Sequence, residues 1–257
     1  VWENRIEMTD KEEDKPVADG QMRFGFIHVN KQPKLYKKIR ERTFENIGYG
    51  PITLPPFEYD TTGFSLLVPK KWKAAVEAKD KRYTGAALFG LSYLLRQAGP
   101  SLAMADIKDI ETDVSLHEEN ETEWKSALYL YDAHEGGVGY AEKIYEKIAD
   151  CLELCRGIIE DCECKAGCPS CVPPLPPGVN NEEVEELLIE SDASVKCCTS
   201  LLHALLDGEI QVPKIQTFKS PRVAAVEPEP PDPNKLRMER RLGKASAILR
   251  KNRRRLH

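Results

Sequence analysis

The sequence contains no Gly-x-x-x-x-Gly-Lys-Ser/Thr run. The backbone cradle and lysine with which P-loop proteins hold nucleotide phosphates are therefore missing. No stretch approaches the roughly 18–20 consecutive apolar residues that a membrane span requires, so no membrane partner is expected. The first residues, Val1-Trp2-Glu3-Asn4-Arg5, lack the apolar segment of a secretory signal, which points to the cytoplasm. They also lack an initiator Met, so the chain reads as a piece of a longer protein or a processed one. There is no internal repeat, and the histidines are too scattered to suggest a site.

What is present is unevenly distributed. The formal net charge is −5. Residues 235–257 hold ten Lys/Arg against Glu239 alone, or +9, which leaves −5 − 9 = −14 for the rest. An acidic body carrying a basic tail is a different object from a mildly acidic protein, and such tails commonly contact nucleic acid. Of the 8 cysteines, Cys151, Cys155, Cys162, Cys164, Cys168 and Cys171 fall in one short stretch, and Cys197 and Cys198 are adjacent. Without a secretory signal, dense cysteines read as metal ligands before disulfides.

Patterning divides the chain into five parts. Residues 1–21 are an acidic, flexible segment. Residues 22–70 form a small β-rich unit, with alternation over 22–29 and turn markers at Gly48, Gly50, Pro51, Pro55 and Pro56. Residues 71–210 are a mixed, mostly helical domain. Within it, 72–98 is helical and stopped by Gly99-Pro100, and a short segment over 101–110 leads to an acidic loop at 117–123. The run 126–131 is apolar on both faces, as a buried strand is. One long helix starts near Tyr140, with the stripe Tyr140, Ile144, Ile148, Cys151, Leu152, Cys155, Ile158 and Ile159. Further helices are predicted at 181–190 and 194–206. Residues 211–234 are a Pro-rich linker, and 235–257 the basic tail. The fold class is α+β, with α/β as the alternative.

Cys162-x-Cys164-x₃-Cys168-x₂-Cys171 brings four thiolates within reach of one ion. Zn²⁺ takes such a set tetrahedrally, with Zn–S near 2.3 Å. Gly167 supplies the positive φ of a tight chelate turn, and Pro169 stiffens the last loop. Four thiolates on Zn²⁺ leave about −2 of charge, which calls for nearby donors. Turn N–H groups and Lys165 can supply these, while Glu160, Asp161 and Glu163 should face solvent. An iron–sulfur cluster is the competing metal reading, but the ligand order departs from the common ferredoxin run; disulfides are the third. One structural zinc per chain is the reading the spacing favours. Cys151 and Cys155 lie on the apolar stripe as small hydrophobes, and Cys197 and Cys198 read as helix residues.

Leu130-Tyr131-Asp132, Glu135-Gly136-Gly137-Val138-Gly139, the long helix and then Cys162-x-Cys164-x₂-Gly167-Cys168-Pro169-x-Cys171 together resemble the C-terminal zinc-binding domain of MrfA-like DEAD/DEAH-box helicases. Upstream, Lys37-Lys38-Ile39-Arg40, Phe44-Glu45-Asn46-Ile47-Gly48-Tyr49-Gly50, Leu54-Pro55 and Thr61-Thr62 resemble the segment that follows the helicase motor. The similarity covers about 22–206. It implies a DNA-processing setting, in repair or phage defence. The partners would be a helicase motor, in cis or in trans, and DNA, single-stranded in the first instance. The chain departs from the family in carrying neither the phosphate loop nor an Asp-Glu-x-His or Asp-Glu-Ala-Asp box, so it is expected to be non-catalytic.

Two further features could carry chemistry. Gly136, Gly137 and Gly139 lie in a strand-to-helix turn that can present N–H groups to phosphate; alternatively they let strand and helix pack closely. Asp132, His134 and Glu135 could form an acid/base or metal group, the basis of a hydrolase reading, or merely cap the next helix. In the tail, Arg250, Lys251, Arg253, Arg254 and Arg255 are the candidate phosphate contacts, with little aromatic interleaving for base stacking. A protein–protein module without DNA contact is the rival to the DNA-engaging reading.

Overall fold

The computed structural model describes residues 2–17, 20–43, 45–116, 126–164, 166–173, 187–189, 192–215 and 217–219. The acidic loop at 117–123, Lys165, most of the predicted helix at 181–190, most of the Pro-rich linker and the whole basic tail lie outside these residues. Where residue 187 onward is described, Leu187–Ile189 is a strand instead of helix.

A five-stranded antiparallel sheet organises the chain. Its strands are β1 (Trp2–Val17), β2 (Gly20–Pro33), β5 (Phe57–Leu67), β6 (Ile110–Leu116) and β7 (Ser126–Asp132), in the order β1-β2-β5-β7-β6. With every pairing in this sheet antiparallel and the helices packed on one of its faces, the class is α+β. Period-2 alternation sorts the side chains. Met22, Phe24, Phe64, Leu66, Leu128 and Leu130 point to one face and join the main core. Ile27, Val29, Tyr59 and Tyr131 point to the other and form a second, smaller cluster. Asn4 on β1 donates to Asp113 on β6 at 2.7 Å, linking the two edge strands. Lys31 meets Glu111 across the same face, with its ammonium 5.7 Å from the ring centroids of both Tyr59 and Tyr131. The β-rich N-terminal part and the zinc part thus contribute to one sheet, and residue 70 marks a change of pattern along the chain within a shared core.

The segment expected to be flexible is β1 itself. Its acids and lysines lie exposed along an edge strand, and charge is how edges avoid further pairing. Ile6 and Met8 pack against the second cluster and Val17, at the strand's end, against the main core. Backbone pairing to β2, not burial of its own side chains, orders this strand. Between β2 and β5 the chain leaves the sheet as a separate ribbon, β3 (Leu35–Ile39) with β4 (Asn46–Pro51).

Among the described residues five helices pack on the first face: α1 (Lys70–Glu77), α2 (Arg82–Ala103), α3 (Tyr140–Glu146), α4 (Ile148–Glu160) and α5 (Ala193–Leu206). The predicted helix over 72–98 is therefore two, broken at 78–81. α2 also runs through Gly99-Pro100 to end at Ala103, where Met104 takes a left-handed φ of 55° and Ala105 N–H returns to the Pro100 carbonyl. A proline forfeits one helical N–H bond. Here Ala98 and Gly99 stay buried, Gly99 so close to Ile144 that a Cβ would stand 2.8 Å from its Cδ1, and this packing carries the helix onward. The long helix from Tyr140 is likewise two, with Lys147 at φ −104°, ψ 29° between them. α2 lies at the centre, with Leu88, Leu91, Leu94 and Leu95 fully buried. Gly90 lets α5 and the chain after the cysteines approach, since a Cβ there would sit 2.8 Å from Cys198 Cβ and 3.1 Å from Val172 Cγ1. Trp72 is fully buried and donates its indole N–H to Ser200 at 2.8 Å, tying α1 to α5.

Candidate metal centre and the glycine-rich turn

The four cysteines of the spacing argument converge at the C-terminal end of α4. Cys162 to Cys168 is 3.6 Å between sulfurs, Cys164 to Cys171 3.4 Å, and Cys168 to Cys171 3.7 Å. All four sulfurs lie within 4.8 Å of one another. A regular tetrahedron with metal–sulfur bonds of about 2.3 Å has edges of about 3.8 Å, so the quartet fits a single four-coordinate ion. A fourfold thiolate set leaves no open position, which makes such a site structural.

The loop is folded around these sulfurs by its own backbone. Gly167 takes φ 89°. Cys171 N–H returns to the Cys168 carbonyl at 3.2 Å, and Cys168 N–H to the Val172 carbonyl at 3.0 Å. The turn amides of Ser170 and Cys171 favour the thiolate of Cys168, and that of Gly167 favours the thiolate of Cys164. The Cys168 thiol is pushed down to about 6, first by the Ser170 N–H and then by the Cys162 thiol. Cys164 is pushed up to about 12, first by its hydrogen bond with Cys171. The expected donors are thus turn amides; Glu160, Asp161 and Glu163 are exposed, as the charge argument required.

Side chains outside the motif hold the loop to the fold. Tyr93 on α2 donates its hydroxyl to the Pro169 carbonyl at 2.6 Å, and Gln97, one turn on, donates to the Cys171 carbonyl at 3.4 Å. Ser194, at the start of α5, donates to the Pro173 carbonyl at 2.9 Å. Cys171 and Val172 are themselves core residues. Sequence reasoning missed Tyr93, Gln97 and Ser194. The only available signal was the i, i+4 spacing of Tyr93 and Gln97, which places them on one helix face. The remaining cysteines behave as small hydrophobes. Cys151, Cys155, Cys197 and Cys198 are each fully buried, and burial pushes the Cys197 thiol up to about 12.

At the other end of α3–α4 lies the glycine-rich turn. Asp132 closes β7, is fully buried, and spends both carboxylate oxygens on the turn backbone. One accepts the N–H groups of Val138 and Gly139 at 2.6 and 2.7 Å, the other that of Ala141 at 2.7 Å. Gly136 N–H goes to the Asp60 carbonyl at 2.7 Å and Gly137 N–H to the His134 carbonyl at 3.1 Å. The N–H groups proposed to meet phosphate through Gly136, Gly137 and Gly139 are therefore already donated within the protein. The glycines serve conformation and packing instead. All three have positive φ, of 79°, 74° and 94°, and a Cβ on Gly137 would collide with the Thr62 hydroxyl. Nor does the acid/base group assemble. Asp132 faces inward, while His134 turns to Asp109, with Nε2 3.0 Å from its carboxylate, and that hydrogen bond holds the Asp109 carboxyl below its usual range. Glu135 is exposed. Among the described residues no helix is long and apolar enough to cross a membrane.

Comparison with known proteins agrees with this geometry. Residues 91–172, from the middle of α2 to the end of the cysteine loop, match the family described as the MrfA Zn-binding domain. The chain is similar to the uncharacterized ATP-dependent helicase YprA of Bacillus subtilis, 32% identical over 168 residues that make up 65% of this chain and 22% of the relative. It is also similar to the ATP-dependent helicase HRQ1 of Saccharomyces cerevisiae, 27% identical over 172 residues, 62% of this chain and 15% of the relative. Among solved structures, the DUF1998 helicase MrfA bound to DNA superposes with a TM-score of 0.57 at 27% identity, covering 79% of this chain and 24% of that one. The chain thus spans under a quarter of these helicases. Donor set, sulfur spacing and family match agree on zinc as the ion the four cysteines hold.

Proposed function

We propose that this chain, whose residues 91–172 are an MrfA Zn-binding domain, is the non-catalytic, zinc-stapled accessory part of a cytoplasmic DNA helicase that acts in DNA repair or phage defence. In this role it docks on the motor lobes, in cis or in trans, and engages single-stranded DNA while the motor hydrolyses ATP. The observation that carries the reading is the closed four-cysteine site inside a segment that matches the family. Zinc there closes a loop that follows α4 and is hydrogen-bonded to α2 and α5, and it has no coordination position left for catalysis. The relatives' names supply the helicase and DNA setting. The buried, fully bonded Asp132 argues against a hydrolase built on Asp132 and Glu135.

With the turn amides committed, phosphate contact falls to cationic side chains, of which Arg250, Lys251, Arg253, Arg254 and Arg255 in the tail are the densest group. The test is binding of a labelled single-stranded oligonucleotide at low and high salt, by the intact chain and by one ending at Pro233. Salt-sensitive binding that disappears with the tail assigns the tail; binding that survives the cut assigns the folded body. No binding by either leaves a docking module that contacts protein alone. Co-purification with a helicase motor and stimulation of its unwinding tests the accessory role separately.

A further inference from the structure

The ribbon of β3 and β4 pairs with nothing but itself among the described strands. An isolated two-stranded hairpin is marginally stable in water, and this one hides almost none of its surface. Every residue of β3 is exposed, and so is β4 apart from Gly48 and Gly50. Its large side chains stand in solvent: Tyr36 at 46%, Tyr49 at 54%, Ile39 at 51% and Ile47 at 55% exposure. Exposed apolar groups gathered in this way mark an interaction surface.

Charge and register identify the occupant. Residues 34–51 carry Lys34, Lys37, Lys38, Arg40 and Arg42 against Glu41 and Glu45, or 5 − 2 = +3, in a chain whose net charge is −5. Tyr36 pairs with Gly50 and Lys38 with Gly48, so one face carries a tyrosine and a lysine above a glycine floor. The Tyr36 ring covers Gly50, the Lys38 ammonium is 5.7 Å from that ring, and nothing stands within 4 Å of where a Gly48 Cβ would be. On the opposite face Lys37 pairs with Tyr49. Each face thus presents a flat ring beside a cation, the combination that stacks a base and neutralises its phosphate.

We propose that the β3–β4 ribbon is a stacking platform for single-stranded nucleic acid, with Tyr36 and Tyr49 taking bases and Lys37 and Lys38 taking phosphates. This rests on the DNA-engaging part of the function proposed above and gives it a place in the folded body, apart from the tail. The test uses the full chain and a labelled single-stranded DNA. Tyr36→Leu and Tyr49→Leu each weaken binding about tenfold, while Tyr36→Phe and Tyr49→Phe, which keep the ring, bind like the parent. Lys37→Ala and Lys38→Ala each flatten the slope of log affinity against log salt by about 0.7. An oligonucleotide carrying 5-iodouracil cross-links to Tyr36 or Tyr49. If the parent chain binds but the Leu variants bind equally well and no cross-link maps to the ribbon, the platform is wrong and the wider DNA-engaging role stands. If the parent chain binds no DNA at low salt, both fall. Binding to the matching RNA more than tenfold tighter overturns the assignment to DNA.

Discussion

The pair of short helices α3 and α4 is tied down at both ends, and the two ties are chemically unlike. At the end of α4, four thiolates and an ion gather a loop that touches α2 and α5. At the start of α3, one buried carboxylate accepts three backbone N–H groups at 2.6–2.7 Å. Both solve the same problem, a chain reversal whose polar groups would otherwise be stranded at the edge of a core. The carboxylate can do this because the turn after β7 offers several parallel amides. The cysteine loop has too few core side chains of its own, and a metal supplies the energy instead.

The largest expected effect is at the metal. Cys168→Ser should remove zinc and with it much of the roughly 10–16 kcal/mol by which zinc holds small structural sites. Loss of cooperative thermal unfolding, together with zinc content falling to zero, checks this. If the variant keeps its zinc and its unfolding midpoint, the two ties are not equivalent in the way described. Asp132→Ala should come next, at about 3–5 kcal/mol, since three backbone N–H groups lose a buried, charged acceptor; denaturant unfolding measures it. A cost under about 1 kcal/mol would mean that water replaces the carboxylate and that the turn does not depend on it. Gly137→Ala should cost about 2 kcal/mol, from a left-handed backbone and the collision with Thr62. Pairing it with Thr62→Ala should recover part of that loss. The smallest effect, about 1 kcal/mol, is expected for Tyr93→Phe, which deletes one hydrogen bond to the zinc loop. Its discriminating sign is faster zinc transfer to a chelator.

How far the two ties could be read from the sequence also differs. Cysteine spacing announces a metal site because few other roles need four thiols within ten residues. The sequence also indicated that Cys151 and Cys155 would be core residues, because they share the apolar stripe of their helix. Asp132 was visible only as an acid beside a glycine-rich turn, a pattern equally compatible with catalysis, phosphate binding and capping. Only the structure shows both its oxygens occupied. The other departures share one cause, tertiary packing overriding a local signal. Pro100 is tolerated because Gly99 packs on Ile144, and Lys147 breaks an unbroken apolar stripe without changing its face. Trp2–Val17 forms a strand because β2 offers an edge, although its composition is that of a solvated segment. Likewise β2, β5 and β7 share a sheet that no local pattern joins, since pairing partners as far apart in sequence as Gly63 and Tyr131 leave no periodic trace.

The central claim, that one zinc held by Cys162, Cys164, Cys168 and Cys171 stabilises this domain, is tested most directly by native mass spectrometry of the purified chain before and after chelation, with thermal unfolding followed on the same samples. The account predicts one zinc per chain and a large fall in the unfolding midpoint when it is stripped, reversed by adding zinc back. Iron in place of zinc, no bound metal, or an unchanged midpoint after stripping would contradict it.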